Sequence, residues 1–447
     1  MTKLEKTFFI SPGNFYISNN PEIILETCLG SCVGVALYDA VNKVGGIIHI
    51  VLPEGDKKKM LNHPTRYAVS GIPFLIKEMT KLGASRSFLT ATIVGGASLS
   101  KDTNIKIGQR NIDKVREVLA REGIPILEED LGGSFSRLFR LRIKDGKVTL
   151  TQIGKRISET IPATSTKIEL KEILEKVDQI RPLSKTVQEV LKIINAEPNN
   201  VEEVKKVVLK DQALTTNILK VCNSAYYGLS QRVSNLSHAI ILLGFQTVKK
   251  ILLAVSLKST LDRKIDVYDL KRGELFKHAL ACALTAELIA KEKQYKDPEV
   301  VFTAALLHDL GKVVLDQCAF EQFALIMNKV AKEKKAFWIV EKEILGFDHA
   351  QIGGLIAQRW KLPQILIEAI TLHHSPEKAK FTPEVVSIVH IADVICSMLG
   401  IGCGVDGLNN PIHPYALSLL AFNSSEIDNI VEKLPEFIEE IKTFEEI

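Results

Sequence analysis

Between Thr7 and Thr149 apolar positions fall in short, β-rich runs, and from Ile168 onward they recur every three to four residues, so two folding regimes divide the chain. In the first regime Thr7–Ile10, Val44–Leu52 and Phe88–Val94 read as strands. Tyr67–Leu82 and Asn111–Arg121 carry apolar residues at helical spacing, the second opened by Asn111 as an N-cap. A hairpin is expected where Phe139–Ile143 and Val148–Leu150 flank Lys144-Asp145-Gly146-Lys147, with Asp-Gly as a type I′ turn. Gly95-Gly96 and Gly132-Gly133 read as turns before they read as places of close approach to a substrate. The segment Arg156–Lys167, RISETIPATSTK, loses the apolar period and is rich in Ser, Thr and Pro, as a linker is. Beyond it helical patterns follow one another to the end. The pattern therefore predicts an α+β chain: a layered α/β domain over 1–155, a linker over 156–167 and an all-α domain over 168–447, the two domains folding separately.

Composition narrows the class. With 447 residues, 46% hydrophobic and 25% charged, the chain has the balance of a soluble globular protein with more than one core. Its longest apolar runs, such as Ala239–Leu243 and Ile251–Val255, fall far short of the ~18 residues that span a bilayer. The opening MTKLEKTFF has no signal-peptide core, so membrane insertion is not expected and the cytoplasm is. Seven cysteines form neither a disulfide framework nor paired zinc spacing, which fits a reducing compartment. A net charge of +4 without a basic run gives no argument for nucleic acid.

Two constellations carry candidate chemistry. In Glu26–Pro53, Cys32 ends a glycine-serine turn and His49 sits on the next apolar strand. A thiol needs a neighbouring base or positive charge to act as a nucleophile, and two adjacent strands would supply it; the plain alternative is a small buried Cys and a satisfied polar His. The second constellation is five of the ten histidines, His278, His308, His349, His373 and His374, with Asp309 and Asp393. Imidazoles and carboxylates from several helices can surround one or two divalent ions, with Asp309 shared and Lys312 one turn on to meet a phosphate. The alternative is that each His fills a helix interface.

The first constellation resembles the CheD family of chemoreceptor glutamine deamidases. The likeness extends in order through Gly83-Ala84, Ile93-Val94-Gly95-Gly96-Ala97, Ile107-Gly108-Gln109-Arg110-Asn111 and Glu129-Asp130-Leu131-Gly132-Gly133. It implies that Cys32 is the nucleophile, that His49, seventeen positions later, is its partner, and that Cys32 rather than Cys28 carries a thiolate at neutral pH. A family threonine six residues before the cysteine falls on Glu26, with Thr27 one place later as the expected third member; Thr92 stands where a lysine often precedes the glycine run. No cofactor is implied for this activity. The implied partners are the cytoplasmic regions of methyl-accepting chemoreceptors and a CheC-type phosphatase.

The helical half resembles the HDOD branch of the HD superfamily, through LKDQALTTNILKVCNSAYYGLS and SHAIILLGFQTVKKILL. The resemblance implies His278, His308, Asp309 and Asp393 as a first metal set and His349, His373 and His374 as ligands of a second ion, iron or manganese. No Gly-Tyr-Pro follows His373-His374, which argues against cyclic di-GMP hydrolysis. The expected function is receptor glutamine deamidation joined to an HDOD signalling domain. The alternatives are a docking scaffold without catalysis and a phosphohydrolase acting at the HD site.

Overall fold

The structure is a computed structural model that describes residues 5–98, 106–133, 135–153, 201–402, 404–407 and 410–445, with 171, 173, 175 and 189 between them. The expected linker lies outside the described residues. Strands β1 (Lys6–Phe9), β2 (Phe15–Ser18), β3 (Ile23–Leu29), β4 (Val33–Asp39) and β5 (Val44–Ile50) open the chain. They are followed by helices α1 (Lys57–Asn62) and α2 (Ala68–Lys81), strand β6 (Leu89–Gly95), helix α3 (Ile107–Glu122) and strands β7 (Ile126–Leu131), β8 (Arg137–Arg142) and β9 (Val148–Gln152). One sheet has the order β1-β3-β8-β9, the other β2-β5-β4-β6-β7.

The five-stranded sheet is buried on both faces, so its strands read as apolar runs rather than alternations. Val33, Val35, Leu37, Ile48 and Ile50 pack against α2 and α3, which present Ile72, Leu75, Met79, Val115 and Leu119 at helical spacing. The opposite face, with Cys32, Ala36, Ile47 and Val51, packs against Leu25, Phe139 and Leu141 of the other sheet. The result is three layers: helices, sheet, sheet.

Two local expectations are corrected. Asn111 is not an N-cap: α3 begins four residues earlier at Ile107, and Asn111 is buried within it. The β8–β9 turn is not type I′, which needs positive φ at both central residues, because only Gly146 (φ 71°) is left-handed there. Gly95, Gly96, Gly132 and Gly133 all adopt positive φ, and Gly95, the last residue of β6, approaches the Cys32 carbonyl so closely that a Cβ there would lie 2.3 Å from it.

The second part is helical throughout its described residues. Its centre is formed by α4 (Glu274–Glu292), α5 (Pro298–Leu307), α6 (His349–Arg359), α7 (Gln364–Leu372) and α8 (Pro383–Met398), with α9 (Ser424–Glu445) closing the chain. Every residue of α8 from Val385 to Cys396 is buried, which marks it as the central helix. The two parts do not stand apart: one apolar cluster runs from between the two sheets into the helical part. Cys28, expected as a free thiol, is disulfide-bonded.

Candidate functional sites

Cys32 closes the turn between β3 and β4, and His49 lies on β5 opposite Gly34 in the β4–β5 register. Cys32 and Gly34 share side-chain parity, so the thiol and the imidazole project from the same face as diagonal neighbours. That face meets β3, and there Thr27 Oγ1 lies 2.7 Å from His49 Nδ1 and 2.7 Å from the Ile10 carbonyl. The Thr27 hydroxyl has one proton, which it gives to Ile10. His49 Nδ1–H is then the donor to Thr27 Oγ1, and Nε2 is left as the basic nitrogen. That Nε2 is buried and makes no hydrogen bond. Glu26, the alternative by count, points away to Arg140 and Lys271.

Cys32 and His49 are fully covered, and burial decides their charge states. Burial pushes the Cys32 thiol well above the usual thiol range and pushes the His49 imidazole down to about 3. The expectation of a thiolate at neutral pH is therefore corrected for this covered state: thiol and imidazole are both neutral. No hydrogen bond joins Cys32 to His49 among the described residues. The turn itself is held from three sides. Gly96 N donates to the Cys32 carbonyl (2.7 Å) and Ala97 N to that of Gly30 (2.8 Å). Asn111 Nδ2 donates to the carbonyls of Val51 (2.9 Å) and Ser31 (3.4 Å). The sequence reading missed Asn111 by placing it at a helix end.

The second site lies inside the helical part. His278 comes from α4, His308 and Asp309 follow α5, His349 opens α6, His373 and His374 end α7, and Asp393 sits on α8. Gly311 lets the turn after Asp309 reach α6, since a Cβ there would lie 1.9 Å from the His349 carbonyl. Four imidazoles are oriented alike. Nδ1 of His278 meets the Ile401 carbonyl (3.0 Å), that of His308 the Ala305 carbonyl (2.6 Å) and that of His373 the Ile370 carbonyl (2.8 Å). His349 Nδ1 meets Glu341 Oε2 at 2.8 Å. Each bond fixes the proton on Nδ1 and turns Nε2 toward the centre, as ligating histidines are held.

Asp309 stands between the two halves of this centre. Its Oδ2 lies 3.3 Å from His308 Nε2 and 3.6 Å from His278 Nε2, and its Oδ1 lies 3.5 Å from His349 Nε2. Ligand atoms of His278, Cys282, His308 and Asp393 lie within 4.8 Å of one another, as do those of His349, His373 and His374. The buried atoms His308 Nε2, Asp309 Oδ1, His373 Nε2 and His374 Nδ1 make no hydrogen bond. Burial opposes the charge on Asp309, but the neighbouring His308 and Lys312 hold its carboxyl well below the usual range. Lys312 is ion-paired with both Asp309 and Asp406. It is therefore engaged within the centre rather than presented to a phosphate. Cys282, one helical turn after His278, was discoverable from its i, i+4 spacing; Glu341 and Asp406 had no local signal.

The comparisons with known proteins match two different parts of the chain. The family model for CheD chemotactic sensory transduction matches residues 51–152, and the HDOD domain model matches 180–376. A Desulforamulus reducens protein named "Probable chemoreceptor glutamine deamidase CheD" is 42% identical over 146 residues, 32% of this chain and 88% of the relative. Proteins of the same name from Methanococcus maripaludis (41% over 150 residues, 33% and 96%) and Pyrococcus abyssi (38% over 153 residues, 33% and 94%) agree. A crystal structure of a candidate signal transduction protein from Marinobacter aquaeolei VT8 has a similar fold, with a TM-score of 0.51 at 15% identity over 81% of this chain and 92% of that one. Through its first part the chain belongs to the CheD family, and the helical part that follows carries an HDOD domain.

Proposed function

We propose that the chain deamidates glutamine side chains on the cytoplasmic regions of chemoreceptors, with Cys32 as nucleophile and His49 as base. The observation that carries this reading is the Ile10–Thr27–His49 chain of hydrogen bonds, which leaves His49 Nε2 free on the face that Cys32 shares. In the reaction His49 Nε2 takes the thiol proton as Cys32 Sγ attacks the carboxamide carbon. The proton passes to the leaving nitrogen, ammonia departs and a thioester remains. Water, deprotonated by the same imidazole, cleaves the thioester to glutamate and restores the thiol. Thr27 keeps the imidazole in the tautomer that both steps need. Neutral thiol and neutral imidazole in the covered state suit a base that acts as substrate arrives rather than a standing ion pair. In this reading the protein acts in the cytoplasm, with a CheC-type phosphatase as a second partner of the same domain. Among the described residues no helix is long and apolar enough to cross a membrane.

The HDOD centre fits one or two iron or manganese ions. His278, His308, Asp309 and Asp393 would hold the first and His349, His373 and His374 the second, with Asp309 facing both. Such ions, when bound, polarise water and phosphoryl oxygens. The polar atoms without hydrogen bonds favour this reading over a packed interface, because each would otherwise cost about 1–3 kcal/mol.

Incubation with receptor cytoplasmic fragments, followed by peptide mass spectrometry, tests the main reading. Gln-to-Glu conversion is expected with the native chain and not with Cys32→Ala. Conversion that survives Cys32→Ala removes the proposal.

A further inference from the structure

The face of the first domain that presents the thiol turn is covered by the chain's own helical part. Ser31, the residue before the nucleophile, donates to the Met398 carbonyl from both its backbone N (2.8 Å) and its Oγ (3.1 Å). Met398 is the last residue of α8, the helix that carries Asp393. The approach is close: a Cβ on Gly30 would lie 2.3 Å from the Met398 carbonyl oxygen, and one on Gly400 would lie 2.9 Å from the Cys28 carbonyl. A free amide at this turn is what a developing oxyanion needs, and here a carbonyl oxygen already holds it.

Beside this contact the final helix α9 lies across the same domain with acidic residues at four-residue spacing. Asp428 makes a two-pronged ion pair with Arg110 (2.6 and 2.9 Å). Glu432 accepts from Tyr67 Oη (2.5 Å) and Lys59 Nζ (2.6 Å), and Glu436 meets Arg66 at 3.2 Å. Arg66 also donates to the Glu432 carbonyl at 2.9 Å. The receiving groups adjoin the thiol turn through the backbone: Asn111, next to Arg110, bonds the Ser31 carbonyl, and the Arg66 carbonyl accepts from Val51 and Leu52.

We propose that this face, with Lys59, Arg66, Tyr67 and Arg110, is where the substrate helix docks, that it accepts a helix with acidic residues every fourth position, and that α8 and α9 occupy it as a competitor within the same chain. The proposal rests on the deamidase reading for its substrate and on the interface itself for the competition. An incoming receptor helix must displace both the Met398 carbonyl from Ser31 and the acidic stripe from the basic one. The helical domain is thereby a cap on the thiol centre, and helix α8 joins that cap to the Asp393 site.

The test uses the full chain in reducing buffer at pH 7 and compares native protein with Asp428→Arg/Glu432→Lys, whose changes lie outside the reacting groups. Iodoacetamide labelling of Cys32, read by peptide mass, is expected to be slow in native protein and at least tenfold faster in the variant, and deamidation of a receptor fragment is expected to rise with it. Restoring the ion pair in reverse, Arg110→Asp with Asp428→Arg, is expected to return labelling toward the native rate, which separates opening of the interface from damage to the fold. Equal labelling in native and variant protein overturns the cap, as does failure of the reversed pair to slow it. Faster labelling without deamidation leaves the cap standing and removes the deamidase reading; deamidation at equal rates in both does the reverse.

Discussion

Thr27 Oγ1 accepts from His49 Nδ1 at 2.7 Å while its own proton goes to the Ile10 carbonyl, so β3, β5 and the residue just after β1 together decide which imidazole nitrogen is basic. Thr27→Val keeps the volume and removes the acceptor. The deamidation rate constant is expected to fall roughly tenfold to a hundredfold, in the lower part of the range that acid–base assistance supplies, while Thr27→Ser stays close to native. Single-turnover kinetics on a receptor fragment read this directly. A valine variant with native rate would mean that the tautomer is set elsewhere.

Burial of His49 also makes a prediction for stability. Its folded value is pushed down to about 3 from an ordinary 6.5, so between those values the unfolded chain binds a proton that the folded chain does not. Stability from this group is complete above pH 6.5 and is lost as pH falls below it. At pH 4.5 the loss is expected to be about 3 kcal/mol. Urea midpoints at pH 7 and 4.5 measure it, and His49→Asn should show a smaller difference between the two pH values than native protein does. Equal differences would assign the acid sensitivity to other groups.

How legible each part was depended on whether the signal was local. Strands β4 and β5 and helix α2 were readable because their apolar spacing is set by one layer of neighbours. The placing of Cys32 and His49 on adjacent strands followed from the apolar runs around them, their pairing from resemblance, and Thr27 was named only through resemblance, since nothing local distinguishes it from Glu26. Asn111 was misread because an Asn before a helical pattern resembles a cap, whereas here its amide bonds carbonyls from the β3–β4 turn and the end of β5. The cap on Ser31 was invisible for a simpler reason: its two partners are 367 residues apart.

Asn111→Ala should expose how much the thiol turn depends on that amide. Two buried carbonyls, of Val51 and Ser31, lose a donor, and a cost of about 1–3 kcal/mol is expected in urea denaturation. Asn111→Asp should be worse, because a carboxylate brings like charge to carbonyl oxygens that need a proton. Deamidation should fall in the same order as the turn loosens. An alanine variant within about 0.5 kcal/mol of native would show that the turn is held by Gly96 and Ala97 alone.

In the helical centre the orientation of the imidazoles supplies the last prediction. Four separate Nδ1 partners, on Ile401, Ala305, Ile370 and Glu341, aim Nε2 of His278, His308, His373 and His349 inward, and Asp309 faces both halves. Protein purified without chelators is expected to hold roughly one to two equivalents of iron or manganese. His308→Ala with Asp309→Ala should lower metal content and melting temperature together, since both halves lose a shared ligand. Glu341→Gln should lower affinity with a smaller effect, because it weakens the orientation of His349 without removing a ligand; changes to such supporting residues cost about tenfold to a hundredfold in affinity. Elemental analysis and competition with a chromogenic chelator give the two readouts. Metal below about a tenth of an equivalent in native protein, or a Glu341→Gln variant that binds as tightly as native, would leave the inward-facing histidines as a packed polar core instead.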